Sequence, residues 1–425
     1  MTMLQSSLHR LPLLWLFVVI LISSALQAAE ASTSSSSSSS TTSSSTPQPT
    51  GTALAKTSTV PVIDLSNPND DELAQQIADA CSTYGFFQVT SHGISVDLMT
   101  RFRHQCAQFF DLDATTKKAL RRNSHNARGF FDDELTKQRR DWKECLDFGV
   151  PGSRLWDAAD DSPFNACLDG FNQFPSVLPE FRPTMVEYFD ACAKLSHRVA
   201  CLMARGMGLP ETDSFLQDLK HQHSSYLRLN YYPPCQQPSA AVTNEPDPTP
   251  LGISPHKDAG FLTVLLQDDE CHSLQAFMDG QFVSVQPVPG AVTINTGDMA
   301  QIWSNGRYKA PLHRVLTDPT KKRYSAPFFY NPGYNWLVTP LPNDSSDMPK
   351  YFGCLWGYFR AVRFAGDLTN LGVEIQIDDY ETQKQPPSAH LKRQKYFQEG
   401  RWTSLPFDVE RYRVLIQEFP DEMSS

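Results

Sequence analysis

The sequence predicts a mainly β protein, a sandwich or barrel with flanking helices. Between residues 226 and 329, short β-branched or aromatic runs such as residues 291–295 alternate with Gly and Pro, which is typical of many short strands joined by turns. Before this stretch apolar residues recur at helical spacing, and residues 356–366 and 407–419 return to a helical pattern after it. The chain of 425 residues is long enough for one large domain or two closely packed ones.

The N-terminus predicts a targeting leader. A short basic region precedes an apolar run over residues 11–22, and small residues follow, with candidate cleavage sites after Ala25 and Ala28. We expect residues 1–29 to form a signal peptide or a signal anchor, the alternatives being a compound organelle-targeting leader and a misassigned start codon. Residues 30–59 are rich in Ser and Thr and predict a disordered linker or an O-glycosylated stalk, because such a segment cannot bury apolar surface.

Two signals conflict on where the protein works. The leader predicts the secretory pathway, an endomembrane lumen or an organelle, with membrane contact only through an uncleaved anchor. The nine cysteines show no C-x-x-C motif and no disulfide pattern, so they favour a reducing, cytoplasmic environment. We weigh the leader more heavily, because an N-terminal apolar run followed by small residues and a Ser tract is typical of a targeting segment.

Residues 60–220 predict the N-terminal helical and strand region of the folded protein. An amphipathic helix follows the acidic residues 70–72, and residues 86–89 then predict a strand. A second helix is indicated around residues 99–110 and a third over about residues 180–207. We interpret their apolar stripes as core.

Residues 221–380 form the predicted β core, and residues 381–425 a C-terminal helical segment that packs against it. The formal net charge is −10, which argues against a nucleic-acid groove and reflects ordinary solubility. We therefore expect no nucleic-acid partner.

Three residues of the β core carry the chemistry of a metal site. His256, Asp258 and, 55 residues further on, His313 offer two imidazole nitrogens and a carboxylate, the set that holds non-haem Fe(II) on one face. In a strand, residues two apart point to the same side, so His256 and Asp258 can converge while Lys257 points away. Alone the pattern is weak, since a chain with 11 His and 47 acidic residues produces it by chance.

A second pair of residues strengthens the prediction. Arg323 and Ser325 lie two apart on a predicted strand shortly after His313. A guanidinium fork and a hydroxyl on one face make a receptor for a carboxylate. Upstream, residues 227–234 predict a polar, aromatic strand that ends in a prolyl turn.

Together these motifs resemble the isopenicillin N synthase-like branch of the 2-oxoglutarate/Fe(II)-dependent dioxygenases, over roughly residues 60–380. The resemblance rests on motifs in consistent order: P-V-I-D-L at 61–65, Y-G-F-F-Q-V at 84–89, S-H-G-I at 91–94, N-Y-Y-P-P at 230–234, H-K-D at 256–258, N-G-R-Y at 305–308, L-H-R-V at 312–315 and R-Y-S at 323–325. Two departures, Ser273 where the family has Gly and Trp303 where it has a smaller aliphatic residue, concern loop shape rather than the metal site.

The resemblance implies a double-stranded β-helix, or jelly-roll, core wrapped by N-terminal and C-terminal helices. It also implies that His256, Asp258 and His313 bind Fe(II), which leaves positions for a cosubstrate and O2.

The cosubstrate implied by the resemblance is 2-oxoglutarate. Its far carboxylate would lie on Arg323 and Ser325, and Asn230 and Tyr232 would contact it from the side. The implied enzyme is a monomeric oxygenase that hydroxylates or desaturates a small-molecule metabolite and releases succinate and CO2.

Two other functions stay open at this point. One is a same-fold Fe(II) oxidase that does not use 2-oxoglutarate, since an Arg-x-Ser pair is present in such enzymes too. The other is a non-catalytic binding module, against which the intact triad argues. The substrate is not predictable, because the loops and terminal helices that line the pocket vary freely.

Several further residues are assigned more modest roles. We expect His92 to be a structural hydrogen-bonding residue and Asp298 a turn residue. Arg228 is either an ion-pair partner or a site residue, and Phe329 is a candidate substrate contact. Solvent exposure is expected for the remaining loop histidines, His221, His223 and His272.

Overall fold

The computed structural model describes residues 60–123, 126–137, 139–150, 170–236, 250–268, 270–342, 348–368, 375–384 and 389–398. All of them belong to one compact unit, Thr57–Ser425. The expected leader (1–29), linker (30–59) and terminal helix (407–419) lie outside the described residues and stay predictions, as do the segment boundaries. None of the helices in the described part of the chain has the length and apolarity needed to span a bilayer.

The strands follow the β-branched and aromatic runs of the sequence. They are β1 Val62–Asp64, β2 Phe86–Thr90, β3 Gly129–Phe131, β4 Leu135–Thr136, β5 Arg139–Arg140, β6 Glu144–Gly149, β7 Tyr226–Tyr232, β8 Ile253–His256, β9 Leu262–Gln267, β10 Leu274–Met278, β11 Gln281–Ser284, β12 Val292–Thr296, β13 His313–Val315, β14 Arg323–Tyr330, β15 Leu337–Val338 and β16 Cys354–Leu355.

Two sheets contain most of these strands. The larger has eight strands in the order β1-β2-β12-β9-β14-β7-β6-β3, and the smaller has four in the order β11-β10-β13-β8. From β7 to β14 the chain crosses repeatedly between the two sheets, which is consistent with the predicted jelly roll. A small apolar core drawn from both sheets, including Phe86, Leu265 and Val315, lies between them.

Helices accompany the sheets. They are α1 Asp70–Thr83, α2 Val96–Phe110, α3 Ala114–Ala119, α4 Phe181–Arg205, α5 Ser214–His221, α6 Asp298–Trp303, α7 Trp356–Leu368 and α8 Ala389–Gln398. The side chain of Asn69 caps α1 by accepting hydrogen bonds from two backbone N–H groups of the first turn. The long helix α4 packs against α1 and α2 and also against strands β9 and β14.

The helices predicted in the N-terminal region correspond to α1, α2 and α4, and the one predicted at residues 356–366 corresponds to α7. Asp298, which was expected to be a turn residue, is the first residue of α6 and is buried. The short helices α3 and α5 have no equivalent in the sequence prediction, since their apolar stripes are too brief to reveal a period.

Candidate active site

The two histidines of the predicted triad face each other across the smaller sheet. Strands β8 and β13 are antiparallel and pair His256 directly with His313, so their imidazole centroids lie 4.3 Å apart. Asp258 lies two residues beyond the end of β8, and the Nε2 atom of each histidine lies 3.6 Å from its Oδ1. One ligand atom from each of the three residues lies within 4.8 Å of the other two.

The prediction that Lys257 points away from the metal stays a prediction. Strand β8 ends at His256, so strand alternation no longer applies to the next two residues. Lys257 lines the same cavity as its two neighbours. His256 and Asp258 therefore converge across the end of the strand, where regular strand pairing stops.

Backbone carbonyls orient both imidazoles. Nδ1 of His256 donates to the carbonyl of Ser254 at 2.8 Å, and Nδ1 of His313 donates to that of Pro311 at 3.1 Å. With the proton on Nδ1, each Nε2 presents its lone pair toward Asp258. This is the tautomer that a metal-binding histidine requires.

The Asp258 carboxylate is held on its other oxygen. Its Oδ2 accepts a hydrogen bond from Thr263 Oγ1 at 2.6 Å and another from Asn295 Nδ2 at 2.8 Å. Both donors lie on the larger sheet, on β9 and β12, so the carboxylate bridges the two sheets. Oδ1 stays directed at the two imidazoles, which makes a donor set that fits one Fe(II).

The electrostatics of the triad favour a neutral histidine beside an ionised carboxylate. Burial, and then the neighbouring His313, lower the pKa of His256 to about 3. Burial opposes ionisation of Asp258, but the two imidazoles and the hydrogen bonds from Asn295 and Thr263 hold its pKa below the ordinary value. Both groups therefore have the protonation state that metal binding needs at neutral pH.

A close backbone approach fixes the turn that carries Asp258. A Cβ added to Gly297 would lie 2.3 Å from the carbonyl oxygen of Gly260 and 2.8 Å from that of Asp258. The backbone N–H of Asp298 donates to the same Asp258 carbonyl at 2.8 Å. Only glycine leaves room for this contact between the turn and α6.

The predicted carboxylate receptor lies on the neighbouring strands of the larger sheet. Antiparallel pairing of β14 with β7 places Arg323 opposite Tyr232 and Ser325 opposite Asn230. Nη1 of Arg323 donates to Ser325 Oγ at 3.2 Å, and its guanidinium carbon lies 5.0 Å from the centre of the Tyr232 ring. All four sequence-predicted residues are thus brought together.

Arg323 has the character of a receptor for a charged ligand. It is 2% exposed, and its Nε has no hydrogen-bond partner among the described residues. A buried guanidinium N–H without an acceptor is costly unless a ligand supplies one. The carboxylate of 2-oxoglutarate is such an acceptor.

One cavity of about 1050 Å³, its open mouth included, connects the triad with Arg323. Phe329 lines it as predicted, and so do Tyr226 and Trp356. The Phe329 and Tyr226 rings stack with centroids 4.6 Å apart. The cavity therefore has an aromatic wall against which a substrate can lie.

A buried ion network forms another part of the cavity wall. Arg228 makes bidentate hydrogen bonds to Asp147 at 2.8 and 2.9 Å, and it also contacts Glu134 at 2.9 Å. Lys143 lies 2.7 Å from Glu134 and 2.8 Å from Asp141. Arg228 is thus both an ion-pair partner and a cavity residue. The other members were missed, because charges scattered over short strands show no local pattern.

The remaining histidines have mixed outcomes. His92 is buried and donates to the Gly290 carbonyl at 2.9 Å, so its predicted structural role is confirmed. His221 and His272 are exposed as expected. His223 is not: its side chain is half-buried, and burial lowers its pKa to about 4.

Comparison with known proteins identifies the family. The model described as 2OG-Fe(II) oxygenase superfamily matches residues 223–332, and that of the non-haem dioxygenase in morphine synthesis N-terminal region matches residues 60–177. Jasmonate-induced oxygenase 2 of Arabidopsis thaliana is 32% identical over 344 residues, which cover 78% of this chain and 86% of that protein. 1-Aminocyclopropane-1-carboxylate oxidase 5 of the same plant is 31% identical over 71% of this chain and 93% of its own length.

A solved structure agrees with these matches. The crystal structure of JOX2 in complex with 2OG, Fe and JA superposes with a TM-score of 0.63 at 30% identity, covering 76% of this chain and 90% of that one. The chain therefore belongs to the 2OG-Fe(II) oxygenase superfamily and is a dioxygenase that uses Fe(II), 2-oxoglutarate and O2 to oxidise a small-molecule metabolite.

Proposed function

We propose that His256, Asp258 and His313 hold the Fe(II) of this dioxygenase, and that Arg323 and Ser325 receive the far carboxylate of 2-oxoglutarate. The observation that supports this most is the approach of the three ligand atoms to within 4.8 Å, in the cavity that Arg323 also lines. When bound, Fe(II) and 2-oxoglutarate supply the oxidation, in which O2 is consumed, succinate and CO2 are released and one oxygen enters the substrate.

The chain's own residues position these groups. The carbonyls of Ser254 and Pro311 accept hydrogen bonds from Nδ1 of His256 and His313 and so direct both Nε2 atoms toward Asp258, while Thr263 and Asn295 hold the outer carboxylate oxygen of Asp258. These three directed ligand atoms would hold the metal and leave room for the cosubstrate and O2.

The guanidinium group of Arg323 and the residues beside it hold the cosubstrate. Arg323 offers bidentate N–H donors, and Ser325 Oγ, linked to Arg323 at 3.2 Å and to Asn230 Nδ2 at 3.4 Å, adds a hydroxyl. Tyr232 lies under the guanidinium. We assign Asn230 and Tyr232 to contacts along the side of 2-oxoglutarate.

The substrate would occupy the cavity beside Phe329 and Tyr226. Apolar side chains around the triad, among them Phe86, Leu265 and Val315, exclude water from the reacting face. We propose hydroxylation as the main outcome, with desaturation as the alternative, because both begin at a C–H bond held in this dry region.

Anaerobic titration of the purified protein with Fe(II) and 2-oxoglutarate tests the site. We expect a weak visible charge-transfer band in the wild type and its loss in His313→Ala and Asp258→Ala, which should stay folded because each change removes a directed ligand rather than core packing. His272→Ala, at an exposed position, is the control and should keep the band. Absence of the band in the wild type, or its survival in the Asp258 and His313 variants, would refute the assignment.

We also propose that helices at both ends of the folded region wrap the jelly-roll core, and that the protein acts as a monomer without a nucleic-acid partner. The acidic net charge of −10 supports the last point. Light scattering during size-exclusion chromatography, with and without nucleic acid, tests the monomer and the absence of binding.

For location, we propose that residues 1–29 are a signal peptide or an uncleaved anchor that delivers the enzyme to an endomembrane lumen or an organelle. The apolar run at residues 11–22 supports this. N-terminal sequencing of the native protein tests cleavage, and fluorescent fusions of the full chain and of residues 30–425 test routing. If both fusions are diffuse in the cytosol, the enzyme is cytoplasmic.

A further inference from the structure

A row of three buried polar side chains crosses the larger sheet at the carboxylate receptor. Antiparallel pairing places Cys145 of β6 directly opposite Asn230 of β7, and Asn230 opposite Ser325 of β14. The three residues are 0%, 2% and 7% exposed, in that order. Asn230 and Ser325 belong to the cavity wall, and Cys145 is the next residue along the row.

Hydrogen bonds join the row in one direction. The Cys145 thiol donates to Asn230 Oδ1 at 3.1 Å, and Asn230 Nδ2 donates to Ser325 Oγ at 3.4 Å. Ser325 Oγ also accepts from Arg323 Nη1 at 3.2 Å. The amide nitrogen of Asn230 therefore faces the receptor, and the amide oxygen faces Cys145.

The orientation of the Asn230 amide matters because the receptor binds an anion. With the N–H groups on the side of Ser325, a carboxylate in the receptor meets a hydrogen-bond donor. With the amide turned over, its oxygen would face the carboxylate, and two acceptors would repel each other. The two ends of an asparagine side chain have nearly the same shape, so hydrogen bonds rather than packing decide between them.

The thiol of Cys145 satisfies the amide oxygen in this orientation. A buried acceptor that lacks a donor is unfavourable. Without the thiol, the amide of Asn230 would gain a donor for its oxygen by turning over toward Ser325, because a hydroxyl can donate as well as accept. The Tyr232 hydroxyl, which also interacts with Ser325, has the same double character and does not select an orientation.

Cys145 keeps the proton that this hydrogen bond needs, because burial raises the pKa of its thiol above the ordinary value. The charged groups near the thiol belong to the ion network, namely Lys143, Arg228, Glu134 and Asp147. Their mutual contacts are 2.7 to 2.9 Å, so both carboxylates are engaged by cations. The thiol is therefore a neutral donor at neutral pH.

We propose that Cys145 is a positioning residue for 2-oxoglutarate, which acts by holding the Asn230 amide with its N–H groups toward the cosubstrate. The proposal rests on the proposed function, in which Asn230 contacts 2-oxoglutarate and Ser325 receives its far carboxylate. Cys145 acts from the neighbouring strand, through Asn230.

Cosubstrate binding to matched variants tests this role. The full-length protein, loaded with Mn(II) in place of Fe(II), is titrated with 2-oxoglutarate by calorimetry. The loss of one hydrogen bond predicts that Cys145→Ala binds 2-oxoglutarate roughly 3- to 10-fold more weakly than the wild type. Cys145→Val, which fills the space without a donor, should show the same loss. Cys145→Ser, whose hydroxyl replaces the thiol, should recover most of the affinity.

A double-mutant cycle tests whether Cys145 acts through Asn230. In an Asn230→Ala background, Cys145→Ala should cause no further loss, because no amide is left to orient. A loss of the same size in both backgrounds would mean that Cys145 only supports the fold, and it would overturn the proposal. Wild-type affinity in Cys145→Ala, or equal weakness in Cys145→Ser and Cys145→Ala, would overturn it too.

Cys81→Ala is the control, since Cys81 is also 0% exposed but lies on α1. This variant should lower the melting temperature and keep the affinity for 2-oxoglutarate. Affinity for Mn(II) should be unchanged in every Cys145 variant. A loss of cosubstrate affinity in Cys81→Ala equal to that in Cys145→Ala, or a loss of Mn(II) binding in Cys145→Ala, would refute the positioning role.

Two outcomes separate this proposal from the proposed function. If Asn230→Ala binds 2-oxoglutarate as tightly as the wild type, the assignment of Asn230 fails, and the role of Cys145 fails with it. If Asn230→Ala weakens binding but Cys145→Ala does not, Asn230 keeps its proposed contact and only the role of Cys145 is refuted.

Discussion

Removing the hydroxyl of Thr263 should weaken metal binding by one to two orders of magnitude. Thr263→Val keeps the shape of the side chain but removes the 2.6 Å hydrogen bond to Asp258 Oδ2, leaving Asn295 at 2.8 Å as the other donor. A hydrogen bond to a charged group contributes about 1.5–3 kcal/mol. Loss of a hydrogen bond that supports a metal ligand typically lowers metal affinity 10- to 100-fold. The pKa of Asp258 should also rise, because that bond favours its charged form.

The measurement is an anaerobic titration of the wild type and the variant with Fe(II) at neutral pH, followed by a repeat at lower pH. The variant should need roughly 10- to 100-fold more metal, and the deficit should widen as the pH falls, because its carboxylate takes up a proton earlier.

Thr293→Val is the matched control. Thr293 is 1% exposed on β12 and accepts a hydrogen bond from Gln267 at 2.9 Å, without contact to Asp258. It should lose stability while keeping its metal affinity. Equal metal affinity in wild type and a folded Thr263→Val, or an equal deficit in Thr293→Val, would refute the reasoning.

Three further outcomes are expected. Arg323→Lys should increase the 2-oxoglutarate concentration needed in succinate-release assays, because the loss of one charge-assisted hydrogen bond weakens cosubstrate binding by about 1.5–3 kcal/mol. If the concentration needed is unchanged while substrate is still oxidised, an oxidase that does not use 2-oxoglutarate is favoured. Gly297→Ala should lower metal affinity and the melting temperature together, because its Cβ would lie 2.3 Å from the Gly260 carbonyl; wild-type values for both would contradict this. Burial lowers the pKa of His223 from 6.5 to about 4, so its contribution to stability is present above pH 6.5 and is lost as the pH falls toward 4. His223→Gln should therefore reduce the acid-induced loss in urea unfolding by roughly 2–3 kcal/mol, whereas the exposed His221→Gln should not; equal losses in the two variants would count against it.

The residues that were predictable are those whose geometry is local. Arg323 and Ser325 lie two apart on one strand, so the strand period alone places them on one face. His256 and Asp258 were also found by spacing, although the strand ends at His256 and Asp258 lies just beyond it. The chemistry of these residue types then predicted a metal and a carboxylate, and the family resemblance implied that the carboxylate belongs to 2-oxoglutarate.

What could not be predicted depends on contacts between distant segments. Thr263 and Asn295 meet Asp258 only because β9 and β12 are neighbours in the larger sheet. Lys143 is charged yet buried, because Glu134 and Asp141 neutralise it. No local sequence pattern indicates these ion pairs. The partial burial of His223 likewise depends on tertiary packing, whereas the polar residues beside it in the sequence predict exposure.

The direct pairing of His256 with His313 links iron capture to the folding of the chain. The segment between them contains β9 to β12, and closing so long a loop so that β8 and β13 can meet is slow and entropically costly. A chain in which β13 has not yet met β8 thus brings together at most two of the three ligands, His256 and Asp258. Loading with metal becomes a late event that follows assembly of the smaller sheet, and a chain stalled before that stage has no complete site in which ferrous iron could generate oxidative damage.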